Sequence, residues 1–378
     1  VKSHKTRIYP NKEQIKLLEE CFSYRRYCYN RGLALWNKLY SNGIKPNNYL
    51  IRGKCKIELK EEWELKYTPI ILDSAIEDLN EAFNRFIKGK GGKPKFDSRK
   101  KGKFRFRIYR KNNSTIRIID DKIILPKFKE AIKLAETPRF KGIIKNYTIT
   151  KTANKYFISF IIDTNEEVIV RKSTNRYTGI DLGVKDFATL AYDRKKKSTK
   201  FLRVKKFNYP KELLTLKHKI KKQQKILSKK EKGSNNYNVM KIKLQNSYLK
   251  MNNIKGDFLH KLTSMITKRF DVITIEDLNV KGMLKNKYLS SSIYEALFYK
   301  FKEFLSYKSK WYGNSLVVAD RFFPSSQICS SCGRRKKGTK KLKLNERIYK
   351  CKCGLKLNRD DNAAFNLRQL GVKFLGLA

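Results

Sequence analysis

The sequence predicts a mixed architecture, α/β plus β-barrel, and three observations carry that expectation. Between Ile116 and Ile162, apolar residues alternate with polar ones in two hairpin-like runs. Beyond about Arg176, two apolar strand-like runs, Tyr177–Gly183 and Val272–Glu276, each reach an acidic residue, and long helical stretches lie between them. Two cysteine pairs, Cys329/Cys332 and Cys351/Cys353, then mark a small separate module. The expected plan is an N-terminal β-barrel with an inserted helical bundle, followed by an α/β body interrupted by the cysteine module.

Taken in order, Lys5-Thr6-Arg7-Ile8-Tyr9 reads as a strand halted by Pro10. Asn11 then caps a helix with Ile15, Leu18 and Phe22 on one face, which continues or restarts to about Tyr40. Asn42-Gly43 and Lys45-Pro46-Asn47 punctuate a loop. Leu72, Ala75, Ile76, Leu79, Phe83 and Phe86 fall at helical spacing from Leu72 to Ile87. Lys88 to Arg110 holds eleven Lys/Arg, four Gly and one Pro, so it reads as a basic loop feeding the strand Phe104–Ile108. Ile116 and Ile118 face Ile123 and Leu125 across an Asp120-Asp121 turn, and Ile143–Thr150 pairs with Tyr156–Ile162. A boundary is expected near Glu166–Arg176. After it come the strand ending at Asp181, returning strands at Phe187–Tyr192 and near Phe201–Val204, and two basic helices, about Lys211–Lys232 and Asn236–Phe270. The strand ending at Glu276, a helix near Tyr294–Trp311, the strand Leu316–Asp320, the cysteine module and a helix Asn362–Leu370 complete the series.

Charge bounds the partners. Lys+Arg 88 against Asp+Glu 34 gives a formal net charge of +54, which a polyanion would neutralise, so nucleic acid is the expected partner. At 40% hydrophobic and 12% aromatic, the chain can bury sizeable cores and is not a disordered basic tail. Tyr24, Arg25, Arg26 and Tyr27 interleave rings with cations, which suits stacking and phosphate contact, although a core face with a basic flank explains them equally well. Lys100, Lys101, Lys103, Arg105 and Arg107 are the regional candidates in the basic stretch, with a solvated linker as the alternative. Cys21, Cys28 and Cys55 are scattered as reduced thiols would be, and no charged-then-apolar leader or membrane-length apolar run is present, so a cytoplasmic, nucleoid or nuclear location with no membrane is expected.

Cys329, Cys332, Cys351 and Cys353 can close a tetrahedron around one zinc ion, with Gly333 and Gly354 turning the chain directly after each pair. The second pair is separated by a single residue, Lys352, tighter than the generic ribbon. Asp181 at a strand end, Glu276 at a strand end and Asp360 at a helix start form a second set. Acids in the path of a polyanion need compensation, and oxygen ligands suit magnesium, with two ions able to support phosphodiester hydrolysis. Asp277 and Asp361 stand beside two of these acids and are the alternatives to them.

Several ordered segments resemble the TnpB family of insertion-sequence proteins, related to type V CRISPR effectors. They are Gly179-Ile180-Asp181-Leu182-Gly183, Asp257–Lys261, Ile275–Met283, Asp320–Ser326, the cysteine pairs, and Arg359-Asp360 with Asn362-Ala363-Ala364. Weaker similarity reaches the N-terminus through Tyr9-Pro10 and Tyr27–Asn30. The resemblance implies a RuvC/RNase H-like nuclease core at 171–320 and 358–378, a zinc-ribbon insertion at 321–357, a barrel at 1–10 and 103–170, and a helical recognition insertion at 11–102. It implies that Asp181, Glu276 and Asp360 hold the magnesium ions of an RNA-guided double-stranded DNA endonuclease whose partners are a guide RNA and the DNA target. Asn358 stands where the family often has Asp. A compact CRISPR effector, a nuclease-inactive RNA-guided repressor and a conventional transposase acting on transposon ends without RNA are the alternative readings.

Overall fold

The computed structural model describes residues 1–58, 61–99, 104–110, 116–165, 174–183, 185–196, 199–278, 292–343, 345–374 and 376. The chain divides into two compact units, Val1–Glu166 and Glu167–Ala378.

In the first unit, strand β1 (Lys2–Tyr9) leads into helix α1 (Lys12–Ser41). Asn11 accepts from the Gln14 backbone N–H at 2.8 Å and Gln14 returns the bond to the Asn11 backbone, a reciprocal cap that satisfies two otherwise orphaned donors. Helices α2 (Asn48–Ile57) and α3 (Pro69–Ile87) follow, with Pro69 at a first helical position where its missing N–H costs nothing. Then come β2 (Arg105–Tyr109), β3 (Arg117–Ile119), β4 (Lys122–Ile124), β5 (Ile132–Leu134), β6 (Ile143–Thr152) and β7 (Lys155–Asp163). Both predicted hairpins form: Ile118 pairs with Ile123, and Thr148 with Ser159.

The barrel expectation needs correction. The seven strands run β2-β6-β7-β1-β5-β4-β3 in one antiparallel sheet, a half-barrel with β2 and β3 as its edges among the described residues. Helices do the work that closure would otherwise do. Phe22 of α1 packs on Phe106 of β2 and Tyr156 of β7, so helix and sheet share a single core. The β2 edge is met by α3, where Arg107 pairs with Glu77 at 3.0 Å, and the other edge strand is only three residues long.

The second unit holds a five-stranded sheet in the order β10-β9-β8-β11-β12. Strands β8 (Tyr177–Leu182), β9 (Ala188–Lys196) and β10 (Thr199–Phe207) form an antiparallel meander, while β11 (Val272–Ile275) lies parallel to both β8 and β12 (Ser315–Val318). Helices α4 (Glu212–Ser228) and α5 (Asn235–Arg269) connect β10 to β11, and α6 (Ser292–Tyr312) precedes β12. Phe187 anchors the core of this unit, with Tyr209, Phe258 and Phe301 edge-on to its ring. Helix α7 (Arg359–Phe374) crosses the sheet at very close range. A Cβ on Gly179 would lie 2.2 Å from the Ala364 carbonyl oxygen, and one on Gly371 would lie 2.0 Å from Thr274 Oγ1, so both glycines are required for this approach. The last pair of strands, β13 (Ile348–Lys350) and β14 (Lys356–Asn358), forms a small hairpin. Residues 279–283, the second half of the Ile275–Met283 segment, lie outside the described residues.

Candidate active site and cysteine cluster

Register brings the first two acids together. Ile180 of β8 pairs with Ile275 of the parallel β11, so the next residues, Asp181 and Glu276, emerge side by side at one end of the sheet. Asp360 reaches the same place as the second residue of α7, whose position over β8 is fixed by Gly179. Asn358 stands at the helix entrance and accepts from the Asp360 backbone N–H at 3.0 Å, the work of an N-terminal cap. This gives Asn358 a structural use where the family often carries an acid.

The electrostatics show the three carboxylates in one environment. Burial raises the Asp181 carboxyl well above the usual carboxylate range, and Glu276 and then Asp360 push the same way, with Arg359 opposing. Glu276 is raised by burial too, while a hydrogen bond from the Ser325 hydroxyl and the nearby Arg359 favour its charged form. All three side chains keep partial exposure. Crowded hard-oxygen donors, two of them, Asp181 and Glu276, held above their usual range, fit a divalent cation, whose charge would relieve that repulsion. Their oxygens are not drawn together as tightly as the cysteine sulfurs: among the described residues, the cysteine set is the one group whose donor atoms all lie within 4.8 Å of each other.

The two neighbouring acids are occupied differently. Asp277 pairs with Lys302 at 2.7 Å and Arg321 at 2.9 Å, which holds its carboxyl below the usual range. Asp361 pairs with Lys206 at 2.8 Å, although its charge also reaches Asp181.

Cys329, Cys332, Cys351 and Cys353 form a compact cluster, with Sγ–Sγ distances of 3.6 Å for Cys329–Cys353 and Cys332–Cys351. A tetrahedron with Zn–S bonds of about 2.3 Å has edges of roughly 3.8 Å, so the donor set fits one zinc ion. Gly333 and Gly354 adopt φ of +73° and +88°, as the turns directly after each pair require. Gly333 N–H returns to the Cys329 carbonyl at 2.9 Å, four residues back, and Gly354 N–H to the Cys351 carbonyl at 3.1 Å, three back, so the second knuckle is the tighter of the two. The Cys353 backbone N–H holds the Cys351 thiol down to about 6, whereas burial pushes Cys329 up to about 12.

Sequence reasoning missed the link between this cluster and the acids. Asn362 on α7 donates to the Ile328 carbonyl at 2.7 Å and accepts from the Ser330 N–H at 3.0 Å. One turn on, Asn366 donates to the carbonyls of Ser325 and Ile328, both at 2.7 Å. The first cysteine knuckle is thus bonded to the helix that carries Asp360, and the same segment supplies the Ser325 hydroxyl to Glu276. The Pro324-Ser325-Ser326 run was the available signal, but nothing in it named Glu276 as a partner.

The proposed nucleic-acid contacts divide. Tyr24 and Arg25 are corrected: Tyr24 is buried with its hydroxyl donating to Glu64 at 2.9 Å, and Arg25 is buried between Asp78 and Asp97, both at 2.8 Å. They are internal tethers, and a phosphate would have to break ion pairs to reach Arg25. Arg26 and Tyr27 remain partly exposed. Arg105 and Arg107 both pair with Asp78 at 3.3 Å, which leaves them at the surface with part of their charge balanced. Lys100, Lys101 and Lys103 lie outside the described residues. Among those residues, no helix is long and apolar enough to cross a membrane.

Three family models match the chain: a helix-turn-helix domain of OrfB (IS605) proteins at residues 1–45, "Probable transposase" (OrfB, IS605) at 160–287, and the Cas12f1-like TNB domain at 298–367. An inferred RNA-guided DNA endonuclease of Streptomyces pristinaespiralis is 29% identical over 98% of this chain and 89% of its own length. InsQ of Escherichia coli K12, with the same description, is 28% identical over 92% of this chain and 86% of its own. Among solved structures, a Cas12f1 chain from a cryo-EM complex with sgRNA and target DNA aligns over 97% of this chain and 98% of that one, with 15% identity and a TM-score of 0.38. The two-unit molecule with paired acids and a four-cysteine cluster is of the insertion-sequence protein class. The chain belongs to the TnpB (OrfB, IS605) family. In this member, residues 1–45 hold one strand and one unbroken helix, so the first model's title does not describe the local fold.

Proposed function

We propose that the chain is an RNA-guided, magnesium-dependent double-stranded DNA endonuclease carried by a mobile element. The observation that carries this reading is the meeting of Asp181, Glu276 and Asp360 at one end of the second unit's sheet. The strand order, an antiparallel meander followed by two parallel strands, supports a RuvC/RNase H-like core, and family membership supports the choice of a guide RNA and a DNA target. Asp181, Glu276 and Asp360 would hold magnesium, which supplies activation of water and stabilisation of the leaving oxygen. The protein's own residues set the stage for that chemistry. Ser325 orients Glu276, Arg359 offsets the crowded negative charge, and Lys206 draws Asp361 aside. The cysteine cluster would hold one zinc ion and brace α7.

The test starts from RNA that copurifies with the protein, which gives the guide and hence a matched duplex. Asp181→Ala, Glu276→Ala and Asp360→Ala should each abolish magnesium-dependent cleavage of that duplex while binding stays equal or tightens, because each removes a negative charge from the path of phosphate. Asp277→Ala and Asp361→Ala should keep much of the activity. Cleavage surviving in Asp181→Ala refutes the assignment, and an inactive Asp361→Ala with an active Asp360→Ala moves the third ligand by one residue.

A further inference from the structure

A second feature lies in the first unit, remote in sequence from any acid of the proposed active site. A cleft of about 550 Å³ opens on α1 and the short 3-10 turn Glu62–Lys66, lined among others by Tyr24, Tyr27, Trp63 and Tyr67, with Lys16 and Arg99. Trp63 is 45% exposed, unusual for a ring that meets three others. It lies edge-on to Tyr27 at 5.1 Å, to Tyr24 at 5.9 Å and to Tyr67 at 6.2 Å, while Tyr24 and Tyr67 stack at 4.5 Å. The rings are held rigidly. Tyr24 donates to buried Glu64, Tyr27 donates to Glu61 at 3.0 Å, and the Trp63 indole N–H also donates to Glu61. The acids in the wall are already neutralised: Glu20 pairs with Lys66 at 2.5 Å, and Glu19 with Lys151 at 2.6 Å. What remains open is therefore aromatic, with exposed Lys16 and Arg99 in its lining.

We propose that this cleft captures one unpaired RNA base, stacked on the exposed face of Trp63 and bordered by Tyr67, with its phosphate drawn by Lys16 and Arg99. The shape suits that occupant. Aromatic platforms bind any base through its π-face, and a wall with its acids paired and a cationic lining suits a phosphate. In a chain of net charge +54, the anionic backbone would be gathered by the surface at large, and the cleft adds the one thing charge cannot supply, a preference for a base that is out of a helix. The proposal deepens the RNA-guided reading and rests on it for the identity of the strand. It predicts that the RNA held by the protein leaves at least one nucleotide unpaired and protected here.

The experiment titrates the full chain with two fluorescent RNA probes of equal length and charge, oligouridylate and an abasic ribose-phosphate oligomer. Wild-type protein should prefer oligouridylate. Trp63→Ala should weaken oligouridylate by about 5- to 150-fold, the effect of losing a base–aromatic stack. It should leave the abasic oligomer unchanged, and Trp63→Phe should recover most of the loss. A melting curve and circular dichroism spectrum matching wild type establish that Trp63→Ala folds. Equal binding of the two probes by wild-type protein overturns the cleft while leaving the RNA-guided reading intact. Binding of neither probe sinks both. Equal loss of both probes in Trp63→Ala, or a Trp63-dependent change of oligomeric state without base preference, assigns the ring to structure or to a second copy of the chain and overturns the proposal.

Discussion

Ser325 shows what a single hydroxyl contributes at the residue scale. Its side chain donates to Glu276 while its carbonyl accepts from Asn366, so it holds an acid of the site against the neighbouring helix. Ser325→Ala should slow cleavage by about 10- to 100-fold, the scale of a hydrogen bond to a charged group, roughly 1.5–3 kcal/mol. Single-turnover rates measured beside DNA affinity check this, since an orienting role moves the rate and its magnesium dependence but not binding. An unchanged rate would reduce the contact to local packing. The sequence points to the three acids because strand ends and helix starts have local signatures. It could not assign Tyr24 and Arg25, whose partners Glu64, Asp78 and Asp97 lie 40, 53 and 72 residues away. A Tyr-Arg run looks the same whether it faces phosphate or a buried carboxylate.

At the scale of elements, local rules served well wherever a pattern stays within one or two segments. The Asn11 cap, the Asp120-Asp121 turn and the two hairpins formed as expected, because capping and period-two alternation are settled by neighbours. The expected barrel is a half-barrel sheet among the described residues, and the helix packing that accompanies it, Phe22 on Phe106 and Tyr156, belongs to the tertiary fold. The cysteine module and α7 behave as one element through Asn362 and Asn366. Metal analysis should find about one zinc per chain, as tetrahedral thiolate coordination requires. Cys332→Ala should release that zinc, lower the melting temperature and impair cleavage together, because the knuckle bonded to the Asp360 helix loses its brace. Zinc loss with cleavage and stability intact would separate the module from the site.

For the whole molecule, charge is the dominant fact. A net +54 distributed over 378 residues should make nucleic-acid affinity fall steeply as salt rises, with about 0.7 to 0.9 counterions released per neutralised phosphate. A log–log plot of RNA affinity against salt should therefore be linear with a strongly negative slope, and protein stripped of RNA should aggregate or melt at lower temperature. A monodisperse, RNA-indifferent protein would count heavily against a guide. Composition points to a polyanionic partner but not to where contacts would fall, since Arg105 and Arg107 spend part of their charge on Asp78.

That α7 follows both β8 and β11 in the chain has a consequence for synthesis on the ribosome. Asp181 and Glu276 lie on strands that can pair as soon as they emerge, but Asp360 and the helix backbone seated over Gly179 follow only after Asn358. A nascent chain, or one cut short by a premature stop before Arg359, would carry most of the chain's positive charge and lack the third acid. On the proposed assignment such a product occupies nucleic acid without cutting it, so the order of the three acids along the chain delays the hazard of a nuclease until translation has passed Asp360.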